Sequence, residues 1–410
     1  MKILLINSYF EKGGAEIVFM DSFHGLQKYS SDFECVIAAS GFSSEKNSFS
    51  LDSWENHRIF APLYYIFNIK NIFILWGLLQ KFKPDIIHLH GFLGALSPSI
   101  LFVIRLWKKL YAVKVVQTVH DYHIICPNSS AYNYNKKEKC LKCLGKKVKL
   151  NICFYNCDRR GWIYSLMKGF RSFVANNVAN HQKIIDLFIT PSIFLREQML
   201  KEGIHEDKLL VLRNPLDFQE YPKFHKKNIL VYFGRFSKEK NLAFLLEVFH
   251  NFFNNHPLNP KLLLIGHGEE EENLKMFVAN HHLEEKISFL PFQTKEKLQD
   301  IIAEAKVMVL PSSVYETYGL VIFEAIVQDI YPITSANGGL KESIDWAGIG
   351  KTFEDGSDIQ LKEIIEEALI QHGMCDFNMA QKKIKENLEL QSYCLELEKM
   401  YKKLIENNDI

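Results

Sequence analysis

Glu316 and Glu324, two glutamates eight positions apart, are the residues of this chain whose side chains and spacing most clearly indicate a functional site. The apolar run 307–310 predicts a buried parallel strand before them, and the stretch after Gly319 predicts a helix. One carboxylate would precede this helix and the other would project from it, at the sheet edge where open α/β folds bind ligands. Carboxylates accept hydrogen bonds from sugar hydroxyls, and helix amides suit phosphate.

A second group of polar residues follows the predicted strand 229–233. Gly234 permits close approach of the backbone to a ligand, Arg235 offers a planar fork for phosphate oxygens, and Lys240 adds a compact positive charge. Ser237 is a candidate cap for a helix that begins near residue 238. A Gly-Arg pair after a strand is commonly structural, but its place upstream of the two glutamates favours a phosphate site.

Two further pairs of glycines follow predicted strands. Gly13 and Gly14 come after the first strand, where they either form an ordinary tight turn or point backbone N–H groups at a diphosphate. Gly266 and Gly268 begin a pattern like a dinucleotide-binding motif, but Glu271 stands where the third glycine belongs. This excludes a Rossmann cofactor site there, although the turn can still border a nucleotide base.

Histidines end two other predicted strands. His120 and Asp121 follow the strand 113–118, a position that suits hydrogen bonding to a sugar hydroxyl or a polar transition state. His88 and His90 share one face of a strand because side chains alternate with period two. A satisfied core or loop histidine is the alternative interpretation for both pairs.

Five of the eight cysteines fall between residues 126 and 157. Cys140 and Cys143 have the spacing of zinc ligands, and neighbouring thiols complete a possible four-thiolate site in a Lys-rich insertion at about 126–160. The predicted zinc ligands are Cys126, Cys140, Cys143 and Cys157. Free thiols are the main alternative, with a disulfide less favoured in a reducing compartment.

The length and composition predict two globular domains. The chain has 410 residues, of which 47% are hydrophobic and 24% charged. Residues 1–215 carry 28 Lys and Arg against 17 Asp and Glu, a net charge of +11, and the remainder carries −10. The basic half is either a solvated face or a half that meets an anionic surface or acceptor. We expect no nucleic-acid partner.

Alternating apolar runs and amphipathic stretches predict a parallel sheet in each half, covered by helices. The predicted strands are 3–7, 33–38, 86–90, 113–118, 187–190, 229–233, 262–265, 287–290, 307–310 and 331–334. An Asn-Pro turn marks a linker at 212–217. This gives domains at 1–215 and 216–390, and a terminal helical segment at 391–410.

No apolar run reaches the length of a membrane span, and the first residues read as a buried strand rather than a signal peptide. We therefore expect a cytoplasmic protein with reduced cysteines, either free or peripheral on the inner face of the cell membrane. The aromatic stretch 61–82 is either a core helix or a hydrophobic face that docks on a bilayer or receives a lipid-linked acceptor.

In combination and order, these motifs resemble the family-4 retaining glycosyltransferases of GT-B fold, over essentially the whole chain. The residues that carry the resemblance are Gly13, Gly14, Ala15, Glu16, His120, Asp121, Gly234, Arg235, Lys240, Gly266, Gly268, Glu316 and Glu324. The resemblance implies two Rossmann-like domains whose parallel sheets face across a cleft, with a last helix that crosses back to the first domain.

The resemblance also implies a nucleoside-diphosphate sugar donor, held mainly by the second domain. Arg235 and Lys240 would face the diphosphate, Glu316 the donor sugar and Glu324 the ribose. Gly13 and Gly14 would close over the phosphates, and His120 would lie near the sugar. The other implied donor contacts are at Gly234, Gly266, Gly268, Gly319, Leu320 and Val321.

By the same resemblance the reaction retains the anomeric configuration, needs no bound metal or other cofactor, and uses a glycan or lipid-linked glycan acceptor in bacterial surface polysaccharide synthesis. Two rival functions stay open, a sugar-nucleotide epimerase on the same fold and a non-catalytic partner that binds a nucleotide sugar. One position departs from the family pattern, because Asp329 stands where a glycine is usual.

Overall fold

The computed structural model describes residues 1–11, 13–30, 32–149, 151–218, 222 and 224–406. The chain divides into two compact units. The first contains Met1–Pro215 together with Leu388–Ile410, and the second contains Leu216–Asn387.

The first unit alternates strands with helices. Its strands are β1 (Lys2–Tyr9), β2 (Glu34–Ser40), β3 (Ser48–Leu51), β4 (Ile86–Leu89), β5 (Lys114–Thr118), β6 (Tyr132–Asn133), β7 (Glu138–Lys139), β8 (Leu187–Thr190) and β9 (Leu209–Val211). Its first eight helices are α1 (Gly14–Tyr29), α2 (Ala61–Ile66), α3 (Ile69–Phe82), α4 (Ser99–Leu110), α5 (Asn151–Tyr155), α6 (Trp162–Phe173), α7 (His181–Ile184) and α8 (Ile193–Lys201).

The second unit repeats this pattern. Its strands are β10 (Lys227–Phe233), β11 (Lys261–Ile265), β12 (Ile287–Leu290), β13 (Ala305–Leu310), β14 (Tyr331–Ser335) and β15 (Lys351–Phe353). Its helices are α9 (Leu242–Val248), α10 (Glu271–Asn280), α11 (Lys295–Ile302), α12 (Leu320–Ile326), α13 (Gly339–Ala347), α14 (Asp358–Gln371) and α15 (Phe377–Leu388). The last helix of the chain, α16 (Leu390–Glu406), belongs to the first unit.

Single turns of 3₁₀ or π helix complete the secondary structure. They are Trp54–Asn56, Val174–Val178, Glu206–Lys208, Lys238–Lys240, Phe249–Phe253 and His372–Met374.

Each unit has one large sheet in which every paired strand is parallel. The order is β3-β2-β1-β4-β5-β8-β9 in the first unit and β12-β11-β10-β13-β14-β15 in the second. In both, the order reverses beside the first strand, as in doubly wound nucleotide-binding folds. The predicted fold class, α/β with two Rossmann-like domains, is therefore confirmed.

All ten predicted strands are present, within a few residues of their predicted ends. The prediction omitted the short edge strands β3, β9 and β15 and the hairpin β6–β7. It also treated 61–82 as one segment, whereas the structure has two helices. The break comes at Asn68, whose side chain accepts a hydrogen bond from the backbone N–H of Asn71 and so caps α3.

The helix α16 packs against α1 and completes the core of the first unit. Tyr393, Leu397 and Tyr401 are buried there. The backbone of Gly25 lies so close that a Cβ at this position would collide with the Sγ of Cys394 and lie 3.0 Å from the Cδ1 of Leu390. The first unit is thus built from both ends of the chain.

Within the described ranges, none of the helices is long and apolar enough to cross a lipid bilayer.

Candidate functional site

The candidate residues of the second unit lie where its strand order reverses. The strands β10 and β13 are neighbours, while the chain leaves β10 toward β11 and leaves β13 toward β14. The loops 234–240 and 311–319 follow these two strands, so both loops lie at the carboxyl edge on either side of the switch point. Open α/β sheets bind their ligands in this crevice.

The two loops are joined by an ion pair that sequence reasoning did not predict. The Nζ of Lys240 lies 2.5 Å from the Oε1 of Glu316, and each side chain keeps about a fifth of its surface exposed. The hydroxyl of Ser312 donates to the same Oε1 at 2.5 Å. The contact brings a predicted phosphate ligand and a predicted sugar ligand together.

The carboxyl of Glu316 is held in its charged form. Burial raises its pKa, but the charge and hydrogen bond of Lys240 and the hydrogen bond from Ser312 outweigh this and leave the pKa below its ordinary value. The positive charge of Arg235 lowers the pKa of Glu316 a little further. Glu316 is therefore an acceptor of hydrogen bonds at neutral pH rather than an acid.

Arg235 projects from the same edge, and its side chain is 71% exposed. Its Nη2 lies 3.6 Å from the Oε1 of Glu239, a long contact for an ion pair. Glu239 is buried, and its Oε2 has no hydrogen-bond partner within the described part of the chain. Sequence reasoning missed Glu239, although its position between Arg235 and Lys240 in the same turn is a signal that was available.

The glycines of the β10 and β11 loops allow these loops to pack backbone to backbone. A Cβ on Gly266 would collide with the carbonyl oxygen of Gly234, and one on Gly268 would collide with that of Phe236. The backbone N–H of Phe236 donates to the carbonyl of His267 at 2.9 Å. Gly266 and Gly268 are thus required by packing, independently of any ligand contact.

Ser237 stands before the 3₁₀ turn Lys238–Lys240, but its side chain makes no capping hydrogen bond. The expected cap is therefore wrong, because the segment forms one tight turn instead of the first turn of an α-helix. The helix α9 begins only after Asn241, which has the left-handed backbone conformation (φ 55°).

The segment that contains Glu316 is held by the loop after β14. The backbone N–H of Gly339 donates to the carbonyl of Glu316 at 2.7 Å, and the Nδ2 of Asn337 donates to the carbonyl of Ser312 at 2.6 Å. Gly319 has φ 102°, and a Cβ there would lie 2.7 Å from the Cδ2 of Leu340. These contacts fix the backbone that enters the helix carrying Leu320, Val321 and Glu324.

In the first unit, Gly13 precedes α1 and Gly14 is its first residue, and both are exposed. A Cβ on Gly13 would lie 3.6 Å from the Oε2 of Glu16, an ordinary contact, and one on Gly14 would meet nothing within 4 Å. Neither glycine has a φ in the left-handed region, since φ of Gly13 is −174°. Packing inside the described part of this unit therefore does not require glycine at either position.

The loops after β1, β4 and β5 adjoin because these three strands are neighbours. The loop after β5 contains His120, whose Nε2 lies 3.0 Å from the Nδ1 of His90 in the loop after β4. Burial lowers the pKa of His120 to about 4. His120 is thus a neutral, partly exposed imidazole with one nitrogen oriented by His90.

His88 has a structural role, as the alternative interpretation expected. Its Nδ1 lies 2.6 Å from the hydroxyl of Tyr401 in α16, and its Nε2 lies 2.8 Å from the Oγ1 of Thr118. Burial, with a smaller effect of His120, lowers its pKa to about 3. His88 and His90 do lie side by side, with ring centroids 4.4 Å apart.

Asp121 orients His123, a histidine two positions further along the same loop. Its Oδ1 lies 2.5 Å from the Nδ1 of His123. The Nε2 of His123 lies 3.2 Å from the side-chain nitrogen of Gln117, which can only donate, so the proton of His123 faces Asp121.

The predicted zinc ligands are neighbours, although they come from separate turns. The other three thiols each raise the pKa of Cys157, which burial and these charges together bring to about 12. In the part of the chain that the structure describes, however, no group of three or more His, Cys, Asp or Glu side chains is placed to hold a metal ion. Zinc binding stays a prediction, which elemental analysis of protein purified without chelator tests.

Two family sequence models match the chain. The model described as Glycosyltransferase Family 4 matches residues 12–220, and the model described as Glycosyl transferases group 1 matches residues 214–407.

Similar proteins match over parts of the sequence. An uncharacterized glycosyltransferase, YqgM of Bacillus subtilis, is 29% identical over 38% of this chain and 43% of its own length. A glycogen synthase of Fusobacterium nucleatum is 24% identical over 67% of this chain and 61% of its own length. The chain therefore spans less than two thirds of the length of these relatives.

Solved structures match over nearly the whole fold. A structure of Anabaena HepE in complex with UDP-glucose superposes with a TM-score of 0.70 at 16% identity, covering 98% of this chain and all of that one. Sucrose-phosphate synthase from Thermosynechococcus elongatus gives a TM-score of 0.71 at 15% identity, covering 99% of each chain. Together with the two family matches, which span residues 12–407, these likenesses show that the chain belongs to glycosyltransferase family 4, in the group 1 glycosyl transferases of GT-B fold.

Proposed function

We propose that the protein moves a sugar from a nucleoside-diphosphate sugar to a hydroxyl of a glycan or lipid-linked glycan acceptor, in the synthesis of a bacterial surface polysaccharide. The observation that carries this proposal is the group formed by Arg235, Lys240 and Glu316 at the switch point of the second sheet. It combines two cations for a diphosphate with a charged acceptor for sugar hydroxyls.

The cations are arranged to receive phosphate oxygens. The ammonium group of Lys240 has three N–H donors. One is directed at Glu316, so two can donate to a ligand. The side chain of Arg235 is 71% exposed, and its ion-pair contact with Glu239 is long at 3.6 Å. Both groups therefore gain hydrogen bonds when a diphosphate arrives, with little loss of existing ones.

The chemistry follows from the charge that develops during transfer. As the bond between the anomeric carbon and the phosphate oxygen breaks, its electron pair moves to the diphosphate, and Arg235 and Lys240 stabilise the negative charge. The acceptor oxygen bonds to the same face of the sugar, and its proton passes to the leaving phosphate. This route retains the anomeric configuration and assigns no nucleophile to the protein.

The two cations take the place that a divalent metal has in other enzymes that cleave nucleotide sugars. We therefore propose that transfer needs no added metal. Turnover in the presence of EDTA should equal turnover with added magnesium or manganese. A loss of activity in EDTA that manganese restores would contradict this part of the proposal.

The remaining donor contacts that we propose are the backbone at Gly319, Leu320 and Val321 for the sugar phosphate, Glu324 for the ribose, and His120 near the sugar. His120 is suited to this role as a neutral group, because its lowered pKa keeps it uncharged beside a developing positive charge on the sugar ring.

A thermal-shift panel of nucleoside diphosphates and their sugars tests the proposal. UDP and UDP-glucose are the first probes, because the structurally similar Anabaena protein is known in complex with them. We expect one diphosphate and its sugar to raise the unfolding temperature in the wild type and in Lys238→Ala, an exposed lysine of the same loop. The shift should shrink in Arg235→Ala and Lys240→Ala. Equal shifts in all four proteins would refute the site.

Activity assays with the donor found in this panel distinguish the rival functions. Transfer to an acceptor identifies a glycosyltransferase, whereas conversion of the free nucleotide sugar without any acceptor identifies an epimerase. Binding without turnover across a panel of acceptors identifies a non-catalytic partner.

A further inference from the structure

Large apolar side chains are exposed on neighbouring helices of the first unit. On α2, α3 and the turn before them, Ile59 is 86% exposed, Phe60 61%, Leu63 60% and Phe73 71%. On α4, Leu106 is 49% exposed. Phe67, 39% exposed, completes the set, which is called the apolar face below. Single exposed apolar residues are common on proteins, but a group of this size marks an interaction site.

Contacts beneath the surface join these helices into one continuous face. The helix α3 packs along α4. The rings of Phe67 and Phe102 meet edge to face with centroids 5.9 Å apart, and those of Trp76 and Trp107 meet with centroids 5.5 Å apart. Phe102 and Leu106 are one turn apart on α4, so the apolar face runs from Phe67 onto that helix.

The surroundings of this face are basic. Residues 58–120 contain eight Lys and Arg residues against one acidic residue, Asp85, and residues 159–185 contain five Lys and Arg residues and no Asp or Glu. Some of these charges have internal partners, as Lys108 has in Asp186 at 2.6 Å and Lys168 in Asp158 at 2.7 Å. Lys70 on α3 and Lys109 on α4 are exposed next to the apolar side chains.

We propose that the apolar face docks on a bilayer surface that contains anionic lipid. Aromatic and aliphatic side chains would enter the region between headgroups and acyl chains, while Lys70 and Lys109 would contact lipid phosphates. This inference rests on the surface of the first unit and not on the proposed catalytic function.

The charge of the surface favours a bilayer over a second copy of this chain. A symmetric dimer through the apolar face would bring Lys70 and Lys109 of one copy against the same basic surface of the other. Like charges brought together out of water repel, and Asp85, the one acidic residue within 58–120, already accepts a hydrogen bond from the backbone N–H of Lys2. An anionic lipid surface supplies the opposite charge over the whole area.

Co-sedimentation of the full chain with vesicles tests the proposal. One set of vesicles is phosphatidylcholine alone, and the other is an equal mixture of phosphatidylcholine and phosphatidylglycerol. We expect the wild type to bind the anionic vesicles, with binding weakened by salt, and to bind the neutral vesicles at least about tenfold less tightly.

Two double variants separate the apolar from the charged contribution. Phe60→Ser with Phe73→Ser should weaken binding to the anionic vesicles by about tenfold or more, and Lys70→Glu with Lys109→Glu should do the same only for the anionic vesicles. Phe42→Ser is the matched control, because Phe42 is 91% exposed in the same unit but lies in the loop after β2. Circular dichroism shows that each variant is folded.

Three results would overturn the proposal. The first is a wild type that sediments with neither vesicle, and the second is double variants that bind as tightly as the control. In the third, analytical ultracentrifugation would show a dimer that Phe60→Ser with Phe73→Ser dissociates, together with no vesicle binding. That last result would assign the apolar face to a second copy of the chain.

Discussion

At the scale of single residues, the pairing of Lys240 with Glu316 links two motifs that are 76 positions apart in the sequence. Sequence reasoning identified both residues by their types and by the strands before them. It did not predict their contact, because strand order decides which loops adjoin and this order is set by the packing of the whole sheet. Ser312 and Glu239 each lie four positions from the residue they contact, so strand order does not explain why they were missed, and their sequence spacing was an available signal.

We expect Lys240→Ala to lower kcat by about 10²–10³, the usual scale for losing one group that stabilises charge in a transition state. Arg235→Ala should lower it by a similar factor, and Glu316→Ala should abolish transfer while the fold survives. Lys238→Ala should leave kcat within about twofold of the wild type, as expected for a surface residue outside the site. Initial rates of transfer at saturating donor measure this. Near-normal kcat in both Arg235→Ala and Lys240→Ala would remove the proposed role of these cations.

Three histidines of the first unit, the buried His88 and His181 and the partly exposed His120, predict sensitivity to acid. Burial lowers the pKa of His88 and of His181 to about 3, and that of His120 to about 4. These residues stay neutral in the folded protein but take up protons in the unfolded chain below their ordinary pKa of 6.5. The folded state therefore loses stability as pH falls from about 6.5 toward 4, by up to about 1.4 kcal/mol per pH unit for each histidine.

Urea unfolding followed by tryptophan fluorescence measures this loss, since four of the five tryptophans are in the first unit. Below pH 6, His181→Gln should lower the number of protons taken up on unfolding by about one. The unfolding free energy should therefore change less steeply with pH than in the wild type. His205→Gln, at a side chain that is 81% exposed, is the matched control. An unchanged slope in His181→Gln would show that this histidine is not buried neutral.

At the scale of secondary structure elements, the loop between α12 and β14 shows how a departure from the family pattern is accommodated. Asp329, which stands where the family has glycine, has φ 55° and so adopts the left-handed conformation that glycine would supply. Its Oδ1 accepts a hydrogen bond from the Nε2 of Gln381 at 2.8 Å. Aspartate is among the few residues that tolerate this conformation.

We expect Asp329→Gly to change the free energy of unfolding by less than about 1 kcal/mol, since the relief of backbone strain offsets the lost hydrogen bond. Asp329→Val should lower it by about 2 kcal/mol, because a β-branched residue is strained at positive φ. Urea unfolding followed by circular dichroism measures both. Asp345→Val, in an exposed position of α13, should change little. A valine variant as stable as the wild type would contradict the conformation assigned to this loop.

The elements predicted correctly are the central strands, because a parallel strand buried on both faces is a continuous apolar run in the sequence. The strand β3 (Ser48–Leu51) has only one fully buried residue and two serines, so its sequence gives no such signal.

The packing role of two glycines could not be predicted from the sequence either. Gly266 and Gly268 were predicted as donor contacts, whereas their need to pack against the Gly234–Phe236 backbone emerges only from the structure.

At the scale of the whole molecule, the contact of α16 with α1 makes the stability of the first unit depend on the end of the chain. Gly25→Ala should lower the free energy of unfolding by about 1–3 kcal/mol, since the new methyl group collides with Cys394. Gly77→Ala, inside α3 where a Cβ meets nothing within 4 Å, should raise it by about 0.5–1 kcal/mol.

The double variant Gly25→Ala with Cys394→Ala should regain part of the loss, because the smaller side chain makes room for the methyl group. Urea unfolding by tryptophan fluorescence compares the three variants with the wild type. Equal destabilisation in the single and double variants would show that the collision is relieved elsewhere.

The two-ended construction of the first unit also has a consequence for synthesis. Residues 216–387 form a continuous stretch that contains every strand of the second sheet, whereas the first sheet lacks its covering helix until residues 390–406 have left the ribosome. We therefore expect the part translated first to finish folding last. During that delay the nascent chain exposes the apolar surface of α1 that Tyr393, Leu397 and Tyr401 later cover, which makes it a substrate for chaperones.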